Sequence, residues 1–224
     1  MSEKAMRAVT EPKIAVISGP SGSGKGTVID ALMKIVPSEK TVSLTTRPPR
    51  EGEVDGVDYT FVSRDEFGKR LSAGEMLEYN LYDGKYYGTP SSEIDRIRSL
   101  GKHVILDIDV HGALNLRKRY PEALLLFMIP PSAEEQERRL RTRGTNSEAS
   151  IKERMATTRS ELRLVSSFDG VVINEDGKIT ETAEIIADAL EGKLPDREYG
   201  LNVVSDYYGK SEKKDTIKSK TSKK

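Results

Sequence analysis

Residues 18 to 27 read SGPSGSGKGT, directly continuing the apolar run IAVIS (14 to 18). No other stretch limits the fold as tightly. A strand that passes through a glycine-rich turn into a helix aims backbone N–H groups and a helix N-terminus at one anion, and a lysine closing the turn adds a charge for the β and γ phosphates. Ser18, Gly19, Pro20, Ser21, Gly22, Ser23, Gly24, Lys25, Gly26 and Thr27 therefore form a candidate nucleoside-triphosphate loop, of a kind that serves kinases, GTPases and motor ATPases alike. The position after the lysine, where a serine or threonine hydroxyl usually meets magnesium, holds Gly26. Thr27 carries a hydroxyl, but one residue along a helix turns it by about 100°. Magnesium held mainly by phosphate oxygens and water suits this arrangement, because the ion keeps several waters readily.

Around the loop, short apolar runs alternate with helical patterns. IAVIS precedes a helix expected from about Gly26 to Ile35; VILDIDV (104 to 110), ALLLFMI (123 to 129) and VVIN (171 to 174) follow, the last before a helix ending near Leu190. Apolar runs that are continuous rather than alternating belong to strands buried on both faces, as in a parallel sheet covered by helices. The expected fold class is α/β: a P-loop kinase core with a parallel sheet flanked by helices, an inserted mixed α/β lobe and a helical lid. The lobe is read from a change of texture, where VSLTTRPPR, DYTFV and EMLEYNLYDGKYYG, with its DGK turn, suggest short antiparallel strands. Ser63 with Glu66, and Ser132 with Glu135, have capping-box spacing and place helix starts after FV and after IPP. The second opens QERRLRTRGTNSEASIKERMATTRSEL, a basic stretch interrupted by Gly144, hence two helices joined at a tip. The expected organisation is a flexible segment over 1–11 and one domain over 12–190, with core 12–42, 91–135 and 160–190, lobe 43–90 and lid 136–159. An extension over 191–209 and a disordered lysine-rich tail over 210–224 complete it.

Composition enters by exclusion. Lysine plus arginine total 36 and aspartate plus glutamate 36, so no global field calls for nucleic acid or a membrane surface. The absence of cysteine removes disulfides, thiolate metal sites and cysteine nucleophiles, and agrees with a reducing cytosol. MSEKAMRAVTEPK lacks the apolar core of a signal peptide, and no apolar run approaches membrane-spanning length. A cytoplasmic protein without nucleic-acid or membrane partners is expected, with a homo-oligomer left open. The seven lysines of 210–224 read as a solvated extension.

A second anion site is written in TTRPPREGEVDGVDYTF. Arg47 and Arg50 flank two prolines that restrict the backbone, so two guanidinium forks can be aimed at one phosphate with little entropy lost. Tyr59 and Tyr87 can add hydroxyl donors. The stretches SGPSGSGKGT, SLTTRPPREGEVDGVDYTFVS, EMLEYNLYDGKYYGT, VILDIDVHGA, IPPS, RLRTRGT, IKERM and VVIN occur in order over roughly Pro12 to Leu190. In that series the chain resembles the guanylate kinases, which phosphorylate GMP. The GKGT ending itself resembles that of many nucleoside monophosphate kinases.

The resemblance implies that Ser43, Glu78 and Thr89 read guanine, and that Arg47, Arg50, Tyr59 and Tyr87 hold the GMP phosphate, with Glu53 in the same pocket. Guanine offers N1–H and N2–H2 donors beside an O6 acceptor, so a carboxylate and a hydroxyl tell it from adenine, and a wrong base leaves the carboxylate unpaired. Thr89 precedes Pro90 and has helix capping as an alternative use, while Glu78 has that of a solvated strand carboxylate. Asp107 and Asp109 end an apolar strand, where open α/β sheets place ligand-binding groups. The resemblance assigns Asp107 to the nucleotide site, whereas Asp109 has capping or burial as an alternative. His111 stands where the family more often has glutamine.

Mg2+ is the implied cofactor, with water-mediated contact through Thr27 or Asp107 as the protein's share. Arg143 and Arg154 are implied in a lid that closes over ATP, acting with Lys25 on the migrating phosphoryl; Arg139 would join the ATP site and Asn174 border the adenine. Arg138 and Arg141 are further candidates at the lid, although Arg141, Arg159 and Arg163 also read as solvent-facing charges paired with glutamates. The implied reaction is ATP-dependent phosphorylation of GMP, and of dGMP, to the diphosphate without a covalent intermediate, in purine nucleotide metabolism. Two rival readings are a non-catalytic phosphopeptide-binding module, which should have lost its donor loop or lid arginines, and a kinase of a phosphorylated sugar, which should lack the guanine-reading set.

Overall fold

IAVIS forms β1 (Ile14–Ser18), and every one of its residues is buried, as a continuous apolar run covered on both faces should be. The computed structural model describes residues 6–82, 84–142, 144 and 147–208. The chain divides into two compact units, Met1–Ser18 with Ile29–Leu125, and Gly19–Val28 with Leu126–Lys224. In the first unit β1 and β2 (Ser38–Lys40) both pair in parallel with β7 (His103–Leu106), which sets Ile14 on one side of Val104 and Glu39 on the other. The strand expected over VILDIDV stops at Leu106 because Asp109 caps the next helix: its Oδ1 accepts from Gly112 N at 2.8 Å and α4 (Val110–Arg119) begins. The first helix, α1 (Lys25–Leu32), is likewise shorter than its pattern.

The inserted lobe is a four-stranded sheet in the order β4-β3-β6-β5, built from β3 (Leu44–Thr45), β4 (Thr60–Phe61), β5 (Met76–Tyr82) and β6 (Lys85–Pro90). Two of its pairs are antiparallel as expected, but β3 and β4 run parallel. The intervening PPREGEVDGVDY loop is long enough to return the chain to the end it left, which a tight hairpin could not do. Ser63 Oγ accepts from Glu66 N at 3.1 Å and starts α2 (Arg64–Ser72). Phe67 on its inner face joins Leu44 and Met76 in the lobe's small core. The helix α3 (Ser91–Ser99) follows β6.

In the second unit β8 (Leu124–Ile129) and β9 (Gly170–Ile173) pair in parallel from Leu126 opposite Gly170 to Ile129 opposite Ile173. The basic stretch forms α5 (Ala133–Thr142) and α6 (Glu148–Leu162), with Gly144 between them at φ +66°. Ser132 Oγ accepts from Glu135 N at 3.3 Å, as its spacing predicts. After α7 (Ile179–Leu190), the extension holds an element that the motifs did not indicate, α8 (Arg197–Asp206), capped by Asp196 accepting from Tyr199 N at 3.0 Å. It lies so close to β9 that a Cβ on Gly200 would meet Val171 Cβ at 2.5 Å. The tail over 210–224 and Arg143 lie outside the described residues. Among the described residues no helix is long and apolar enough to cross a membrane.

Candidate active site

The glycine turn belongs to the second unit. Gly19, Gly22 and Gly24 adopt φ of +139°, +88° and +88°. A Cβ on Gly19 would stand 2.0 Å from the Met128 carbonyl oxygen, and one on Gly24 2.5 Å from the Asn174 side-chain nitrogen, so both the backbone and the space call for glycine. Lys25 folds back on the turn, its Nζ donating to Gly19 O at 2.6 Å and Pro20 O at 3.4 Å. The hydroxyls of Ser18 and Ser23 are buried without a hydrogen-bond partner among the described residues. Gly26 and Thr27 are exposed.

Side chains distant in sequence brace this turn. Asn174, one residue past β9, donates from Nδ2 to Ser23 O at 2.8 Å. Arg139 donates to Asn174 O at 2.9 Å and to Ser23 O at 3.5 Å. Arg154 on α6 donates to Ser21 Oγ at 2.8 Å, and Gln136 on α5 donates to Ser21 O at 2.9 Å. Arg138 and Arg139 both bind Glu135, which holds that carboxyl well down, to about 2. A cavity of about 340 Å³ opens beside the turn, lined by Gly24, Thr27, Arg138, Arg139, Asn174 and Ile179 among others. Asn174 thus lines the space expected for a base, with its amide used to hold the loop. Arg141 pairs with Glu137 at 2.7 Å and with Glu148, the surface role expected of it. Arg163 is exposed. Arg159 is exposed too, but its guanidinium lies 4.5 Å from the centre of the Tyr208 ring, a contact that its spacing to glutamates did not suggest.

The residues expected to hold the acceptor gather in the first unit. The β5–β6 register sets Glu78 opposite Thr89. Thr89 Oγ1 donates to Glu78 Oε1 at 2.8 Å, and with that proton committed, the Ser43 hydroxyl 3.0 Å away donates to Thr89. The three residues expected to read guanine form one relay. Helix capping is not the use of Thr89, because the cap of α3 is Pro90. Burial first, and then the charge of Asp109, pushes the Glu78 carboxyl up to about 7 against the Thr89 hydrogen bond. Gly112 supports it from below: a Cβ there would lie 3.0 Å from Glu78 Oε2.

Arg47 is held as a fork. Its Nη1 and Nη2 each bind one Glu53 oxygen at 2.8 Å, and its guanidinium packs 5.4 Å from the centre of the Tyr59 ring. Its Nε is buried without a partner among the described residues. Tyr59 and Tyr87 meet edge to face with centroids 6.0 Å apart. Burial, then the charge of Asp107, pushes the Tyr59 phenol up. Glu53 also accepts from Arg50 N at 2.7 Å, and Arg47 holds its carboxyl down to about 2. Both Glu53 oxygens thus serve the two arginines, and an anion so placed orients a guanidinium fork. The Arg50 side chain is exposed. Asp107 is exposed just past β7, whereas Asp109 caps α4 and accepts from Asn80 Nδ2, the structural alternative weighed for it. His111 is exposed on α4. Gln136 was missed by motif reading; its one sequence signal is an amide among charged neighbours on a helix with three glutamates and three arginines.

Comparison with known proteins places the chain in a family. The family model described as guanylate kinase matches residues 11–193. The guanylate kinase of Lactobacillus delbrueckii subsp. bulgaricus is 45% identical over 164 residues, covering 72% of this chain and 80% of that protein. That of Bacillus subtilis is 44% identical over 165 residues, covering 73% and 81%. Among solved structures, the guanylate kinase from Anaplasma phagocytophilum is similar with a TM-score of 0.65 at 31% identity, covering 82% of this chain and 87% of that one.

Proposed function

The chain belongs to the guanylate kinase family, and on that premise we propose that it transfers the γ-phosphoryl group of ATP to GMP, and to dGMP, forming the diphosphate. One observation carries the substrate choice: the Ser43–Thr89–Glu78 relay sets hydroxyl and carboxylate side by side, the pair that guanine's edge requires. An adenine there would present an amino group in place of O6 and leave Glu78 without its donors. Arg47, with its orphaned Nε, and Arg50 take the GMP phosphate, assisted by the Tyr59 and Tyr87 hydroxyls; Glu53 keeps the Arg47 fork aimed.

ATP lies with its phosphates in the Gly19–Lys25 turn. Lys25 exchanges its carbonyl partners for phosphate oxygens, and Arg154, with Arg143, neutralises charge on the migrating phosphoryl. The GMP phosphate is its own nucleophile and already largely ionised at neutral pH, so no strong general base and no covalent intermediate are required. Closure of the 136–159 lid excludes water and suppresses hydrolysis. Mg2+ supplies further charge neutralisation when bound. Among the described residues no group of three or more histidines, aspartates and glutamates could cage a metal, so the ion fits as a companion of the phosphates, with Thr27 or Asp107 contributing through water. ATP and GMP are the partners in this reading, and the setting is cytoplasmic. A coupled assay offering ATP with GMP, AMP, UMP or ribose bisphosphate tests it: turnover should be confined to GMP and its deoxy form, and no GMP turnover overturns it.

A further inference from the structure

The C-terminal extension lies outside the stretches that carry the family motifs, yet it ends in a buried polar network that reaches the glycine turn. Tyr207, the residue closing α8, is 1% exposed. Its hydroxyl donates to Gln136 Oε1 at 3.2 Å. Gln136 is itself fully buried, and its Nε2 donates both to Ser21 O at 2.9 Å and to Thr158 Oγ1 at 2.8 Å. Thr158 passes its proton on to Arg154 O at 2.9 Å, and the Arg154 guanidinium returns to Ser21 Oγ at 2.8 Å. Both N–H donors of the Gln136 amide and one lone pair of its oxygen are thereby matched. A flipped amide would set Oε1 against the Ser21 carbonyl and against a threonine whose proton is already given away.

Two further contacts fix the extension to the same helices. Ala133 N, at the start of α5, donates to Tyr207 O at 3.1 Å, and the Tyr208 hydroxyl donates to Met155 O on α6 at 2.9 Å. Burial pushes the Tyr207 phenol upward, so it stays a neutral donor.

We propose that Gln136 is a positioning residue for ATP, that Tyr207 holds it in place, and that the C-terminal helix is therefore a working part of the donor site. Ser21 is gripped at its carbonyl by Gln136 and at its hydroxyl by Arg154, and Thr158 ties the two grips together. Removing the Tyr207 hydroxyl leaves Gln136 Oε1 buried without a donor. The amide then turns or admits water, and the Ser21 carbonyl loses its fixed donor, while Arg154 keeps its own hold on Ser21 Oγ.

This inference rests on ATP occupying the glycine turn. Steady-state kinetics on the full chain, varying ATP and GMP separately, test it. Tyr207→Phe keeps the ring and its packing, and should raise KM for ATP about 5- to 10-fold, the worth of one buried hydrogen bond. KM for GMP and kcat should stay within about twofold of the parent, a split that general loosening would not produce. Gln136→Leu should raise KM for ATP at least as much, and the double variant should be no worse than Gln136→Leu alone, because the tyrosine acts through the glutamine. An unchanged KM for ATP in Tyr207→Phe, an equal rise in KM for GMP, or additive effects in the double variant overturns the inference. Each is read on an enzyme that phosphorylates GMP, so it leaves the kinase reading standing; a parent chain inactive on GMP is the separate failure of that reading.

Discussion

Glu78 sits where burial and the nearby Asp109 charge both oppose its ionisation, and the Thr89 hydroxyl only partly offsets them. A folded pKa near 7, above the ordinary 4.5, means that the native protein holds this proton more tightly than the unfolded chain. The stability linked to that proton is complete below about 4.5 and is lost as pH rises through 7. Glu78→Gln should therefore raise the melting temperature at pH 8 more than at pH 5, which thermal melts at the two values check. With the base contact proposed for Glu78, guanine's N–H donors need the carboxylate, so GMP binding expels the proton. GMP affinity should weaken below pH 7 by up to about tenfold per unit. The GMP phosphate titrates nearby as well, so the informative quantity is the difference between parent and Glu78→Gln, whose binding should have lost both this component and the preference for GMP over AMP. A parent and variant with the same pH profile would remove Glu78 from the base contact. Gly26 is exposed, with open space around its Cα. Gly26→Ser should consequently change kcat and KM little if magnesium depends on phosphates and water, and a large change in either constant would return the hydroxyl position to importance.

At the scale of elements, the junction between β7 and α4 shows how one aspartate serves fold and site together. Asp109 caps α4 through Gly112 N and also takes Asn80 from β5, beside Glu78. Asp109→Ala should cost about 1 kcal/mol, roughly 2–4 °C in melting temperature for a chain of this size, and should lower the Glu78 pKa by removing a like charge, observable as GMP binding that persists to lower pH. The sequence pattern read VILDIDV as one strand because its apolar residues run on past the two acids to Val110; the cap, a local hydrogen bond, decides where the strand ends. The parallel β3–β4 pair was illegible for another reason. Strand direction depends on the path of the loop between them, and two-residue strands carry too little pattern to declare it. The helix α8, which the motifs did not indicate, is capped by Asp196 and spaces Gly200, Val203, Val204 and Tyr207 for one face, and its importance lies in what that face meets.

For the whole molecule, Gly19–Val28 and the helices α5 and α6 belong to one compact unit, and Ser43, Glu78 and Thr89, proposed to read guanine, to the other. Lys25→Ala should thus lower kcat by about 100-fold or more, the scale of losing one charge-stabilising donor, while the dissociation constant for GMP, measured by calorimetry without ATP, stays near the parental value. A parallel loss of GMP binding would mean that the division of labour is wrong. The phosphate turn was legible in ten consecutive residues because its chemistry is local: the glycine conformations and the lysine follow from neighbours in the chain. Arg47 with Glu53, six residues apart, is nearly as local. The bracing of the turn is of another kind. Asn174 reaches Ser23 across 151 residues, and Tyr207 reaches Gln136 across 71. A buried amide or phenol is defined by the partners that satisfy it, and those are supplied only when distant segments pack together. Sequence therefore sufficed for the kind of chemistry and the identity of the substrates, whereas tertiary structure alone bound Glu53 to Arg47, put Asp109 in its cap, and joined Tyr207 to Gln136.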